Sequence, residues 1–224
     1  MRRFIFHSYG LLSMVIISLN LTAQNNQLSD YEKVIRQRAE KIVATLGLKD
    51  SEVQSHVIDI VASQYRNLSK VHDEKNEQEA AIKKQPDVNK MAIDSEIKKL
   101  EEVTKDKLEK LHSEYLQKLS SLLTPQKVEL VKDGMTYNVT SVTYKGYVDM
   151  LPQLTGEQKD QIMKWLKEAR EQAMDAESSE KKHWWFGKYK GRINNYLATQ
   201  GYDLKKAGEE WEKRRNAEKK NPVN

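Results

Sequence analysis

Residues 93–122 read IDSEIKKLEEVTKDKLEKLHSEYLQKLSSL, and their spacing decides the fold class. Ile93, Ile97, Leu100, Leu108, Leu111, Tyr115, Leu119 and Leu122 recur three or four residues apart, with only Thr104 interrupting the series. Side chains at those separations share one face of an α-helix. The pattern therefore predicts a long helix with a narrow apolar seam and a Lys/Glu-rich back. Upstream, Lys49-Asp50-Ser51 opens a second series: Val53, Val57, Ile60, Val61, Gln64, Leu68 and Val71. Its continuation, Asp73–Lys84, is almost entirely polar and reads as an exposed extension. Gln85-Pro86-Asp87 separates the two series, because proline disfavours helix in the residue before it. An antiparallel hairpin with coiled-coil character is expected over about residues 50–122.

Working outward, the chain stays helical. On the N-terminal side, Ser29-Asp30 opens a helix with Tyr31, Val34, Ile35, Arg38, Ile42 and Leu46 as its stripe, and Gly47 stops it. On the C-terminal side, Thr124-Pro125 is a cap followed by proline at the first helical position. A short helix over Lys127–Val131 and a turn at Asp133-Gly134 are expected. Residues 137–148 are ambiguous. Val139, Thr140, Val142, Thr143 and Tyr144 favour strand, yet no partner strand is evident, and Tyr144, Tyr147, Val148 and Leu151 fit a helical face. The expectation is a loop followed by a helix. Thr155 then caps a helix with Gln158 at the capping-box position, and Ile162, Trp165, Leu166, Ala169, Ala173 and Ala176 form its inner face. Ser178-Ser179 starts the next helix, Gly201 stops it, and a last helix runs through Trp211. The result is an all-α bundle of six to seven helices in a single domain, residues 24–224.

Composition agrees with that class. The chain has 224 residues, 38% hydrophobic and 32% charged, with nine glycines and four prolines. It has no cysteine, so a disulfide framework, a thiolate metal site and a cysteine nucleophile are all excluded. Arg2 and Arg3 precede a mostly apolar run, Phe4–Leu21, and Leu21-Thr22-Ala23 is a plausible cleavage site. Residues 1–23 read as a signal peptide, and with no cysteine after the run no lipid anchor is expected. The mature chain is expected in the periplasm or outside the cell, with no membrane span after cleavage. Charge is uneven: residues 181–220 carry twelve Lys or Arg against five Asp or Glu, whereas residues 24–180 carry twenty-four against twenty-eight.

The basic segment contains the richest chemistry, EKKHWWFGKYKGRINNYLATQGYD over Glu180–Asp203. On a helical wheel, Trp185, Tyr189, Ile193, Tyr196 and Leu197 form an apolar stripe, and Trp184, Lys188, Arg192 and Asn195 share a neighbouring face. Gly187 and Gly191 are one turn apart. Glycine inside a helix costs about 1 kcal/mol relative to alanine, so the pair implies close backbone approach by another helix or by a ligand. Sugars present apolar C–H faces and hydroxyl edges, which aromatic rings and Asn, Lys or Arg side chains match. Acidic sugars favour Arg in particular. The candidate ligand-binding residues are thus Trp184, Lys188, Arg192, Asn195, Trp185 and Tyr189, with Asn194 and Tyr196 of the same chemical type nearby; the alternative is that all the aromatics are core and the two glycines serve tight helix packing. A basic patch beside aromatics also serves nucleic acid. In an exported chain acidic polysaccharide is the expected polyanion, and no nucleic-acid partner is expected. No phosphate loop, zinc-protease motif or nucleophile elbow occurs. His56, His72, His112 and His183 are scattered, so no metal, cofactor or catalytic residue is expected.

The run from Glu180, with AREQAMDAESS before it and DGMTYNVTSVTYKGYVDMLPQLTGEQK upstream, resembles a secreted Bacteroidetes family of unknown function. Sugar binding is ascribed to that family, and it is met among polysaccharide-utilisation genes. The resemblance covers roughly the mature chain, is most specific over residues 126–204, and carries no established ligand residues. Leu154-Thr155-Gly156-Glu157-Gln158 also resembles the L-T-x-x-Q motif of periplasmic helical chaperones, although a helix cap accounts for the same residues. The leading expectation is a non-enzymatic carbohydrate-binding protein accessory to polysaccharide utilisation. The alternative is a periplasmic chaperone-like or envelope-stress protein.

Overall fold

A computed structural model describes residues 30–85 and 89–220, with side chains to residue 217. The expected signal peptide and the Pro86 break lie outside the described residues. These residues form eight helices and no strand, an all-α bundle with one helix more than the upper expected count. The first, α1, spans 30–44 and ends before Gly47, whose left-handed φ of 58° suits glycine. Ile35, Ala39, Ile42, Val43 and Leu46 are its buried face. Val34, expected in that stripe, is exposed, because the helix turns its Ile35–Ala39–Ile42 edge to the core.

The hairpin follows. Helix α2 is Ser51–Lys83, and its Asp50 cap accepts the amides of Glu52 and Val53. Helix α3 is Lys90–Ser120, capped by Asn89. Burial concentrates at the base, at Val57, Val61, Ala62, Gln64, Leu68, Tyr115 and Leu119. Farther out only Thr104 is buried, while Ile93, Ile97 and Leu100 are half-buried. Two helices alone can cover one side of each seam, and among the described residues no third helix closes the outer half. At the base α3 ends at Ser120, so the periodicity stops. Leu123 is buried in place of the expected Leu122.

Helix α4, Pro125–Met135, starts at the Thr124 cap but runs through Asp133-Gly134, where a turn was expected. The reason is tertiary. A Cβ on Gly134 would come within 3.0 Å of the Ile42 side chain, so the glycine is there to admit α1. The turn falls instead at Tyr137 and Asn138, both left-handed with φ of 58° and 56°. Helix α5, Val139–Met150, then resolves the ambiguous segment as helix, with Thr140 and Tyr147 buried. Helix α6, Gly156–Met174, carries the complete capping box: Gln158 N donates to Thr155 Oγ1 at 3.2 Å and Thr155 N to Gln158 Oε1 at 3.0 Å. Helices α7, Ser179–Thr199, and α8, Leu204–Lys220, complete the chain.

The helices enclose two apolar clusters. One joins α1, α2, the end of α3 and α4 around Ile35, Val57, Leu119 and Val131, and the other joins α5, α6 and α7 around Leu151, Ile162, Phe186 and Ile193. Met174, at the end of α6, belongs to the first cluster and so ties the two together. Polar groups reinforce that seam. Buried Arg170 donates to Asp133 at 2.7 Å and to Glu129 at 2.6 Å, pinning α6 to α4. None of the described helices is long and apolar enough to cross a membrane.

Candidate functional site

Helix α7 carries the expected site residues. Its N-cap Ser178 accepts the Lys181 amide at 3.2 Å. Its buried line is Lys182, Phe186, Ile193 and Leu197, with Trp185, Tyr189 and Tyr196 half-buried beside it. The core line is therefore displaced from the expected stripe toward Phe186, which the wheel omits. Trp184 lies outside, 53% exposed, and its ring meets Trp185 edge-to-face at 5.0 Å. Lys188 Nζ sits 5.6 Å from the Trp184 ring and 5.0 Å from that of Trp185. These three form one cluster, with Trp184 and Lys188 exposed and Trp185 half-buried beneath them.

The remaining candidates are more dispersed. The Arg192 guanidinium lies over the Trp165 ring of α6 at 4.6 Å and approaches Glu168 at 3.5 Å. Asn195 is exposed, whereas Tyr189 packs against the second core. Asn194 is engaged within the chain, since Tyr147 donates to its Oδ1 at 2.6 Å. Gly187 and Gly191 have no atom of another element within 4 Å of where a Cβ would stand, so none of the other described helices approaches them closely.

Beside this cluster is a groove of about 750 Å³ between the hairpin and the α6–α7 junction. Trp185 and Lys181 of α7 reach it from one side, and His72, Leu108 and His112 from the hairpin. A charged clasp forms its floor. Asp175 caps α6, its carbonyl contacts His72 Nε2 at 2.7 Å, and its carboxylate contacts His112 Nδ1 at 2.7 Å. His112 Nε2 faces Glu171 at 3.3 Å, and Lys132 of α4 donates to Glu171 at 3.0 Å. Hydrogen bonds from Asp175 and Glu171 outweigh burial and raise the His112 pKa to about 9. Burial pushes the Glu171 carboxyl up, but its bonds to His112 and Lys132 prevail and hold it at about 2. His112 is thus a cation at neutral pH with both ring nitrogens committed, a brace rather than a proton acceptor.

Lys182 lies behind the clasp. It is only 7% exposed, donates to the Met135 carbonyl at 2.9 Å, and stands over the Tyr65 ring at 5.4 Å. Burial, aided by the Arg38 charge, lowers its pKa to about 8. The helical wheel identified neither Lys182 as buried nor the His112–Asp175 pair, whose members are 63 residues apart. No group of three His, Asp or Glu side chains suited to a metal occurs among the described residues.

A family model described as protein of unknown function, DUF3826, matches residues 32–217. The chain belongs to that family. None of the curated proteins matches it.

Proposed function

We propose that this is an exported, non-enzymatic carbohydrate-binding protein, accessory to polysaccharide utilisation in a Bacteroidetes-type cell envelope. The observation that carries the reading is Trp184: a large aromatic half open to solvent, beside a second tryptophan, with one lysine over both rings. A pyranose C–H face stacks on such a ring, and the neighbouring Lys188 is placed to meet its hydroxyl groups, whereas Asn195 lies about 16 Å farther along α7 and could meet only another unit of a longer glycan. Arg192 and Lys188 are already engaged in cation–π contacts, and Arg192 also faces Glu168. That weighs against the acidic-sugar grip expected of them. The capping box absorbs the L-T-x-x-Q residues, and Tyr202 also donates to Gln158 at 2.8 Å. A helix cap therefore accounts for those residues, and the motif by itself lends the chaperone-like reading no weight.

The experiment is intrinsic tryptophan fluorescence titrated with neutral and acidic oligosaccharides, on the protein and on Trp184→Ala. A saturable change that Trp184→Ala loses, at unchanged melting temperature, supports the reading. Silence across the panel, with suppression of client-protein aggregation, would replace it with the chaperone-like alternative.

A further inference from the structure

The groove at the α6–α7 junction extends the aromatic cluster inward. Its volume of about 750 Å³ lies within the roughly 300–1,000 Å³ common to small-molecule sites. Trp185 connects the two features, since its ring lines the groove and meets Trp184 at 5.0 Å. Leu108 and Ala176 add apolar wall.

The polar lining decides the ligand class. Two of its lysines are paired, Lys75 with Glu79 at 2.9 Å and Lys105 with Glu109 at 3.5 Å. Glu171 and Asp175 are held by His112 and Lys132. Glu101, Gln172, Glu177 and Lys181 line the groove with no side-chain partner among the described residues. They supply acceptors, one ammonium donor and an amide that does both. Sugar hydroxyls need that mixture, since each both donates and accepts. The unpaired lining charges are Glu101 and Glu177 against Lys181, so a uronate would bring its charge into a net negative seat.

We propose that this groove binds a neutral oligosaccharide, with one pyranose ring against Trp185 and its hydroxyl groups on Glu101, Gln172, Glu177 and Lys181. The proposal rests on the carbohydrate reading above and narrows it to uncharged glycans in a defined seat.

The test titrates the protein calorimetrically with linear neutral glucan and mannan hexasaccharides and with a hexagalacturonate of the same length. It is repeated on Ala176→Trp, which fills the groove, and on Glu177→Lys, with circular dichroism to verify folding. The expected result is saturable binding of a neutral hexasaccharide, none of the uronate, and a loss of about tenfold or more in Ala176→Trp, equivalent to about 1.4 kcal/mol. Preference for the uronate would overturn the groove proposal and leave the carbohydrate reading standing. So would neutral binding that both groove variants retain and Trp184→Ala loses. Binding of no sugar would remove the carbohydrate reading, and the groove proposal with it.

Discussion

Replacing Lys182 with methionine tests the physics of the seam between the two cores. The stem survives and only the buried amine is removed. Folding lowers the pKa of this amine from 10.5 to about 8, chiefly by burial. The folded state therefore binds fewer protons than the unfolded chain between those values, and stability rises with pH across that window. A shift of this size is worth about 3 kcal/mol in full at about 1.4 kcal/mol per unit, and about 2 kcal/mol of it is recovered between about pH 7 and pH 9.5. Methionine also orphans the Met135 carbonyl, which costs about 1–3 kcal/mol at every pH. The absolute effect at neutral pH is thus a near-cancellation, and the pH dependence of the difference is the informative quantity. Urea unfolding of both proteins at about pH 7 and pH 9.5, by linear extrapolation, measures it. Lys182→Met should lose about 2 kcal/mol relative to wild type as pH rises across that interval. His112 titrates in the same range but is common to both proteins. Tyr65, whose pKa burial raises from 10 to about 12, is likewise common to both. A difference constant with pH would mean that the amine is hydrated in the folded protein and that the seam is not dry.

Three further substitutions give measurable outcomes. His112→Gln removes a group whose folded pKa, about 9, lies above the ordinary 6.5, so its stabilisation is complete below about pH 6.5 and disappears through about pH 9. Discounted for the partial exposure of the ring, the variant should lose about 1–2 kcal/mol at about pH 6 and almost nothing at about pH 9.5, in the same urea assay. Two glycine-to-alanine changes should have opposite signs in thermal melts. Gly187→Ala has open space for its Cβ and should gain up to about 1 kcal/mol. Gly134→Ala would press on Ile42 at 3.0 Å and should lose about 1–3 kcal/mol of its packing.

Local signals were legible where the physics is local. The Asp50, Thr124 and Thr155 caps all accept backbone amides as their residue types imply. Gly47 and Gly201 adopt the positive φ that helix ends require. Long-period seams also read correctly, since Val57, Val61, Leu68, Tyr115 and Leu119 are all buried. Errors arose where a distant element sets the answer. Asp133-Gly134 has the composition of a turn, but Arg170 binds Asp133 and Ile42 packs on Gly134, so helix α4 continues through both. Phe186 is core because α6 approaches α7 from its side, and a single-helix wheel cannot know where the neighbour stands. The wheel placed Trp184 off the apolar stripe but left open whether its face was exposed or core, and only the packing of α7 shows it outside. The groove beside it was not legible, because His72, His112, Asp175 and Trp185 come from four different helices or their ends.

The clasp and the buried lysine act in opposite directions, and both meet at the end of α6. Asp175 bonds His112, and its charge also favours the protonated form of Lys182 against the larger effect of burial. As pH rises from about 7 to 9.5, the loss of the His112 cation removes about 1 kcal/mol of stabilisation after the same discount, while deprotonation of Lys182 relieves about 2 kcal/mol of penalty. Wild-type stability should therefore rise by only about 1 kcal/mol over this interval, less steeply than His112→Gln, while Lys182→Met slopes downward. A double variant should be flat, because both titrations are gone. If it sloped, some third group at the junction would have to titrate between the same limits.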